Sequence, residues 1–348
     1  MHPRAKNVKI RTMNNQVSER SANAVISVVI PAHNEAENLP ILLHDLCAVL
    51  TPLGQPEIIC VDDGSTDNTF AVLFEAASQN DFIKYVRLSR NFGHQSALRA
   101  GLSYGTGDCV ISMDADMQHP VQLVPQMVEK WRKGYDVVLT TRKESGDLTI
   151  FKRLTSRLFY FLINALADVH IDPGSADFRL LDRKVVEVIK SLSESDFFLR
   201  GIIPWVGFQS CKIEYIPNRR RFGDTKYSLR KMISFAVAGV VSNSVQPLRL
   251  AAILAAVISG MAGLYTLYAL HVYLVYGRLV PGWASVVVVT SFIGGLQLLV
   301  LGVIGEYIGR ILKESRKRPG FVVSATNIRS VAHPAKADAA VDCRSDSR

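Results

Sequence analysis

From Leu250 to Gly277 the chain carries no charged residue, and from Pro281 to Gly305 it again carries none. A helix that crosses a bilayer core needs about 20 predominantly apolar residues, so each stretch is long enough. A buried hairpin in a soluble protein would rarely run this far without a charge. Apart from tyrosines, His271 is the only titratable group in the first stretch. Arg230, Lys231 and Arg249 precede the pair, and Arg310, Lys313, Arg316, Lys317 and Arg318 follow it, while the connecting loop holds only Arg278. The excess of Lys and Arg on cytoplasmic flanks predicts a hairpin with both chain ends in the cytoplasm. We expect two membrane helices at about 250–277 and 281–305, within a segment 248–312.

The remaining length supports a substantial folded domain. The chain has 348 residues, 48% of them hydrophobic and 20% charged, which excludes compositional disorder. Its formal charge of +9 suits nucleic acid, an anionic membrane surface or a phosphorylated substrate. The cations gather at Arg4–Arg20, Arg219–Arg230 and Arg310–Arg318. Two of these groups flank the apolar pair, which favours a membrane surface over nucleic acid. Cys47, Cys60, Cys109, Cys211 and Cys343 are scattered without metal-ligand spacing and read as reduced thiols of a cytosolic compartment. Residues 1–23 read as a flexible basic tail with no signal peptide, since VISVVI is only strand-length.

From Val25 onward short β-branched runs alternate with helical stretches. VISVVI precedes a helix around Leu39–Leu50, and EIICV precedes one at Asn68–Ala77. IKYVRL precedes Gln95–Tyr104, CVISM precedes Val121–Lys133, and DVVLT follows. This alternation predicts a mostly parallel sheet with helices on both faces. Ligands of such sheets bind at the carboxyl ends of the strands. PAHNEAE, DDGSTDNT and DADMQHP stand at those ends.

In DADMQHP, Asp114 and Asp116 point the same way from an extended chain. Two adjacent carboxylates repel and are costly to desolvate. A solvated turn would explain the pair alone. Asp62 and Asp63 alone would be explained by a helix cap at Ser65 or Asp67. Three acidic strand ends along one sheet edge, Glu35 of the first included, need a cation or a donor-rich ligand. Oxygen ligands of this kind suit Mg²⁺ or Mn²⁺, and Gln118 adds a neutral oxygen on the same side. Residues 149–167 form a basic amphipathic pattern, either a core-packed helix or one lying on the membrane interface.

Taken together, PAHNE, VDDGSTDNT, NFGHQSALRAGL, DADMQHP and RRFGDTKYS resemble the inverting nucleotide-sugar glycosyltransferases of the GT-A fold. The likeness is to the polyprenyl-phosphate glycosyltransferases related to dolichyl-phosphate mannose synthase, of the bacterial membrane-anchored type. It runs from about Val25 to Pro319 and includes GEYIGRI, Gly305–Ile311. His33 departs from the family, which commonly has tyrosine there.

The resemblance implies a cytosolic GT-A domain over 24–227, an interfacial helix over 228–247, the two-helix transmembrane hairpin, and a basic then disordered tail over 313–348. Pro31, His33 and Glu35 would line the nucleotide pocket, and Asp63 would hold base or ribose. Asp114 and Asp116 would be the acidic pair at the Mg²⁺ or Mn²⁺ ion, with Asp116 and Gln118 as direct ligands. Arg142 would meet phosphate, and Arg220 and Lys226 would close over the diphosphate. Asp177 is the candidate catalytic carboxylate, with a purely structural pairing to Arg179 or Arg183 as its alternative. Arg153 and Arg157 would guide the acceptor's phosphate.

The implied reaction moves a sugar, with inversion, from a nucleotide sugar, UDP-linked by preference, to polyprenyl phosphate such as undecaprenyl phosphate. The lipid-linked sugar would serve cell-envelope glycan modification, including that of lipopolysaccharide. The implied setting is the inner membrane, with a homotetramer as the implied assembly and no nucleic-acid partner. A processive polysaccharide synthase would need more spans and a QxxRW motif, and a non-catalytic nucleotide-binding membrane adaptor would not need the acidic and basic positions. NAD and P-loop chemistry are excluded because GxGxxG and GxxxxGK[ST] are missing from the chain.

Overall fold

The computed structural model describes residues 20–21, 23–143, 175–192, 194, 197–218, 246–276 and 282–328. The expected amphipathic helix at 149–167, the cations Arg153, Arg157, Arg220 and Lys226, and most of the expected interfacial helix lie outside them.

Eight strands form one sheet in the order β7-β5-β6-β4-β1-β2-β3-β8. The centre is β1 (Val25–Ala32), flanked in parallel by β2 (Gln55–Asp62) and β4 (Cys109–Ser112). β3 (Ile83–Leu88) extends the parallel set beyond β2. The run VISVVIPA is buried almost throughout, as expected of a central strand covered on both faces. β6 (Ser175–Asp182) runs antiparallel between β4 and β5 (Val137–Arg142), and β7 (Ser210–Tyr215) pairs in parallel with β5. The reversal of β6 sends the start of that strand to the edge where β1, β2, β4 and β5 end.

Helices cover both faces. α1 (Leu39–Leu50), α2 (Thr69–Gln79) and α4 (Val124–Arg132) pack into one apolar core. α3 (His94–Tyr104), α5 (Arg183–Ser191) and α6 (Leu199–Val206) pack into the other. Pro40 and Pro125 sit in the first turns of α1 and α4, where their missing N–H costs nothing. Asp182 caps α5 by accepting from the Lys184 N–H at 3.0 Å, a contact worth about 1 kcal/mol. Gly101 lets α3 lie against β1, because a Cβ there would overlap Val29.

α7 (Gln246–Tyr276) and α8 (Trp283–Ser315) contain apolar windows at Ala251–Val275 and Phe292–Ser315, each long enough to cross a membrane. Neither window is buried within the protein, which distinguishes them from core helices of a soluble domain. The i,i+4 pair Glu306 and Arg310 on α8 comes together at 3.3 Å.

The expectation of a basic then disordered tail over 313–348 is corrected at residues 323–326, which form a strand. β8 (Val323–Thr326) pairs antiparallel with β3, matching Val86 to Thr326 and Leu88 to Val323. Asn327 Oδ1 accepts the Tyr85 N–H at 2.8 Å. Phe321, Val323 and Ile328 pack against the α3-side core. A short segment of small residues has little strand signal of its own; the open edge of β3 supplies its partner.

Candidate active site

The carboxyl ends of β1 and β2 are tied to each other. Asn34, at φ 59°, uses its Oδ1 to accept the Thr66 N–H at 2.8 Å. Its own N–H donates to Ser65 Oγ at 3.0 Å, and the Glu35 N–H donates to Thr69 Oγ1 at 2.9 Å. Glu35 accepts from the Asn38 side chain at 2.6 Å. His33 Nδ1 lies 3.0 Å from the Asp63 carbonyl. Pro31 is buried in β1 opposite Val61. Gly64, at φ +64°, is required because a Cβ would overlap the backbone of Arg90 and Asn91.

Asp62 and Asp63 diverge. Asp62 accepts the Ser65 N–H at 2.9 Å and sits 3.3 Å from Arg87 Nε. Asp63 turns to the start of α3, where its two oxygens accept the N–H groups of Phe92 (2.7 Å) and Gly93 (2.9 Å). Burial raises its pKa, with those two bonds working in the other direction. The pair expected to face a ligand therefore also builds the β2 and α3 loops.

At the exit of β4, Met117 adopts the left-handed conformation, φ 61°, rare for a residue with a side chain. This turn lets the Gln118 N–H donate to Asp116 Oδ1 at 3.1 Å. Asp116 is buried, whereas the Asp114 side chain keeps 26% of its exposure. Asp114 Oδ1 is buried and makes no hydrogen bond; His94 Nε2 approaches it at 3.5 Å. A buried carboxylate oxygen without a donor is costly, and a divalent cation suits it. No group of three or more His, Cys, Asp or Glu among the described residues is placed to hold a metal ion. Asp114, Asp116 and Gln118, the expected metal residues, share this one turn after β4, where the Gln118 N–H bonds to Asp116.

His119, to which the sequence reading gave no role, organises this exit. Its side chain is fully buried, stacked on Phe178 at 5.0 Å and edge-on to Tyr215 at 6.0 Å. The Asp114 N–H donates to His119 Nδ1 at 3.1 Å. Burial, and the Arg142 charge beside it, lower its pKa against the pull of Asp114. Arg142, at the end of β5, donates from Nε to the Tyr215 hydroxyl at 3.1 Å and brings Nη2 to 3.4 Å from His119 Nε2. The arginine expected to meet phosphate thus touches His119, the residue that holds the Asp114 backbone N–H. A histidine next to DADMQ was the available signal, but its partners come from β5, β6 and β7.

Asp177, near the start of β6, reaches the same edge. Its Oδ1 accepts from Arg179 Nη2 at 2.7 Å and from Arg200 Nε at 3.0 Å. Its Oδ2 accepts from Arg200 Nη2 at 2.8 Å and the Gln95 side chain at 3.3 Å, with His94 Nε2 at 3.4 Å. Burial opposes its ionisation, but the His94 hydrogen bond and the two guanidiniums outweigh it and hold the carboxyl well below the ordinary range. Complete burial pushes Arg179 down to about 10, so it remains protonated at neutral pH. Of the two structural partners considered for Asp177, Arg179 is realised. Arg183 lies on α5 with Glu187 at 2.7 Å. Arg200, His94 and Gln95, the other three partners, were not assigned roles from sequence.

Residues 27–190 match the family model described as Glycosyl transferase family 2. Over 300 residues the chain is 43% identical to an uncharacterized glycosyltransferase of Synechocystis, covering 86% of this chain and 94% of that protein. Over 302 residues it is 37% identical to the bactoprenol glucosyl transferase of Shigella phage SfX, covering 86% and 99%. Glucosyl-3-phosphoglycerate synthase of Mycobacterium tuberculosis, solved with Mn²⁺, UDP and glucosyl-3-phosphoglycerate, aligns at TM-score 0.43 and 19% identity over 63% of this chain and 78% of that one. By the extent of these sequence relationships, the chain belongs to glycosyl transferase family 2 and is a glycosyltransferase.

Proposed function

We propose that this glycosyltransferase moves a sugar from a nucleotide-sugar donor, UDP-linked by preference, to the phosphate of a polyprenyl lipid, with inversion at the anomeric carbon. The carrying observation is the reach of the likeness to bactoprenol glucosyl transferase. Its 302 residues cannot fit within residues 1–245, so it runs through the first apolar helix and into the second. The helix pair would keep the protein beside a lipid acceptor, and its basic flanks favour a cytosolic catalytic domain.

Pro31, His33, Glu35 and Asp63 would line the nucleotide side of the site. Asp114, Asp116 and Gln118 would hold Mg²⁺ or Mn²⁺, as the unpartnered Asp114 oxygen favours. When bound, the ion supplies positive charge against the departing diphosphate. Arg142 would supply a second positive charge there, and Arg220 and Lys226 a third and fourth. A phosphomonoester has its second pKa near 6, so the acceptor arrives mostly as a dianion and needs no strong base. Asp177, committed to cations and hard to protonate, would orient those cations.

The test is transfer of label from a panel of radiolabelled nucleotide sugars into the organic phase. The purified full chain in detergent would be supplied with undecaprenyl phosphate and Mg²⁺ or Mn²⁺. Label from one donor, lost with chelator and in Asp116→Ala, is the expected result. Label that survives both would remove the metal from the account and leave the acceptor standing. No label from any donor would reject the acceptor.

A further inference from the structure

Beyond α8 the chain returns to the sheet. Arg316 and Lys317 close the helix by donating their N–H groups to the Leu312 and Glu314 carbonyls at 3.2 and 3.1 Å. Lys317 takes the left-handed conformation, φ 49°, and Pro319 follows, so the helix cannot continue. Seven residues, 316–322, separate α8 from β8. Fully extended, a link of that length reaches about 25 Å. From Val322 onward the chain is bound along the edge of β3. The Ser89 N–H donates to the Val322 carbonyl at 2.9 Å. Ser324 Oγ donates to the Arg87 carbonyl at 3.1 Å, and Thr326 Oγ1 to the Tyr85 carbonyl at 2.8 Å. Asn327 closes the ladder, accepting the Tyr85 N–H at 2.8 Å and donating to the Ile83 carbonyl at 3.3 Å.

Before the strand, Gly320 passes Arg99 of α3; a Cβ at Gly320 would stand 3.5 Å from Arg99 Nη1. Arg99 in turn holds the connection that leads into α6. Its Nη1 donates to the Glu194 carbonyl at 2.6 Å, its Nη2 donates to the Leu192 carbonyl at 2.8 Å, and its guanidinium lies 5.3 Å from the centre of the Phe197 ring. Burial lowers the Arg99 pKa, and the charges of Glu194 and of Glu314, in the last turn of α8, oppose that. At the start of α3, Gln95 donates to Asp177 at 3.3 Å and accepts the Leu199 N–H of α6 at 3.3 Å. The end of α8 is therefore joined through α3 to the edge where Asp177 sits. Covering the open edge of β3 needs only the ladder. The short link adds a second property: it limits how far the α3 side of the cleft can stand from α8.

We propose that residues 316–328 are a strap that holds the α3 side of the cleft at the membrane, so that the head of a lipid acceptor meets the site at a fixed height. The proposal rests on the transfer reading above and on α8 crossing the bilayer. A phosphate carried on a prenyl tail is confined to the thin layer its tail allows. A cleft tied close to α8 stays in that layer, and the strap thereby raises the effective concentration of the lipid's phosphate at the site. An acceptor free in water gains nothing from the strap, because it reaches the cleft from any height.

The test compares two acceptors on the full chain in vesicles, with the nucleotide sugar the wild type uses. One is undecaprenyl phosphate within the bilayer; the other is a short, water-soluble prenyl phosphate outside it. The first variant carries twelve Gly and Ser residues inserted between Arg318 and Pro319, which keeps every residue of β8. The second carries the same insertion after Ile328, beyond the strap. Lengthening the link from seven residues to nineteen lowers the effective concentration about fivefold by the −3/2 power of length. The first insertion is therefore expected to raise the KM for undecaprenyl phosphate about fivefold, with kcat, the donor KM and the KM for the short acceptor within about twofold of wild type. The second insertion is expected to match the wild type with both acceptors. Phe321→Ala with Val323→Ala, which loosens the strand from the α3-side core, is expected to act like the first insertion. If that double substitution lowers the melting temperature, the insertion remains decisive. Equal loss with both acceptors would overturn the proposal, since it would mark residues 316–328 as a support of the fold alone. The same lipid-specific loss from the insertion after Ile328 would also count against it. An active wild type with an unshifted first insertion would reject the strap alone and leave β8 as an edge cover. A wild type that transfers to neither acceptor would reject the transfer reading and the strap together.

Discussion

The exits of β1 and β2 and the exits of β4 and β6 share one sheet edge but use polar residues differently. At the first pair, Asn34, Ser65, Thr66 and Thr69 bind one another or nearby backbone, Asp63 binds the start of α3, and Asp62, whose Oδ2 is buried without a hydrogen bond, faces Arg87 Nε at 3.3 Å. These contacts make a frame. At the second pair, Asp114 retains a buried oxygen without a hydrogen bond, and Asp177 gathers cations from β6, α3 and α6. Charge is concentrated there, with two arginines and a histidine around one carboxylate. The same acidic residue type thus builds loops at one pair of exits and provides a place for ionic ligands at the other.

The sharpest break of this contrast is Asp177→Asn. It leaves Arg179 and Arg200 without their carboxylate, and removing one partner from a buried ionic pair costs about 3–5 kcal/mol. Denaturant unfolding would measure the loss. The wild type carries a related pH signature. The folded Asp177 carboxyl ionises at lower pH than its unfolded counterpart. Its contribution to stability is therefore complete above about pH 4 and lost as pH falls through the folded value. In Asp177→Asn, the drop of melting temperature on acidification should be shallower.

Asp116→Ala should lower kcat by about 10²–10³-fold, the scale of losing one preorganised electrostatic contact to developing charge, with little change in melting temperature. His119→Asn should weaken metal dependence by about 10–100-fold, read as a higher metal concentration at half-maximal activity. This would show that the ring orients Asp114. Asn34→Ala in the frame should cost about 1 kcal/mol of stability, read in denaturant, and leave the acceptor KM unchanged. A large rise in acceptor KM there would dissolve the distinction between the two pairs of exits.

Local pattern revealed much of the sheet. VISVVI and IKYVRL are strands where their β-branched runs predicted them, and the helix at Leu39–Leu50 has the expected bounds. β6 was harder to read. In SADFRLLD, Phe178 and Leu180 enter one core, but the buried charges of Asp177 and Arg179 interrupt the apolar signal. β8 depends on an edge formed far earlier in the chain, with Val86 opposite Thr326. The site follows the same division. Asp114 and Asp116 stood out as acids at a strand end, and Asp177 came only with the family resemblance. His94, His119 and Arg200 acquire their roles only when antiparallel β6 brings Asp177 to the edge where α3 and α6 begin.

The most direct measurement is the structure of the product. The full chain in vesicles containing undecaprenyl phosphate would be given the donor it accepts, and the lipid extract would be examined by mass spectrometry and NMR. The account predicts a sugar joined to the lipid through a single phosphate, β-linked from an α-linked donor. A sugar joined through a diphosphate, a retained α-linkage, or label found only in a water-soluble product would contradict it.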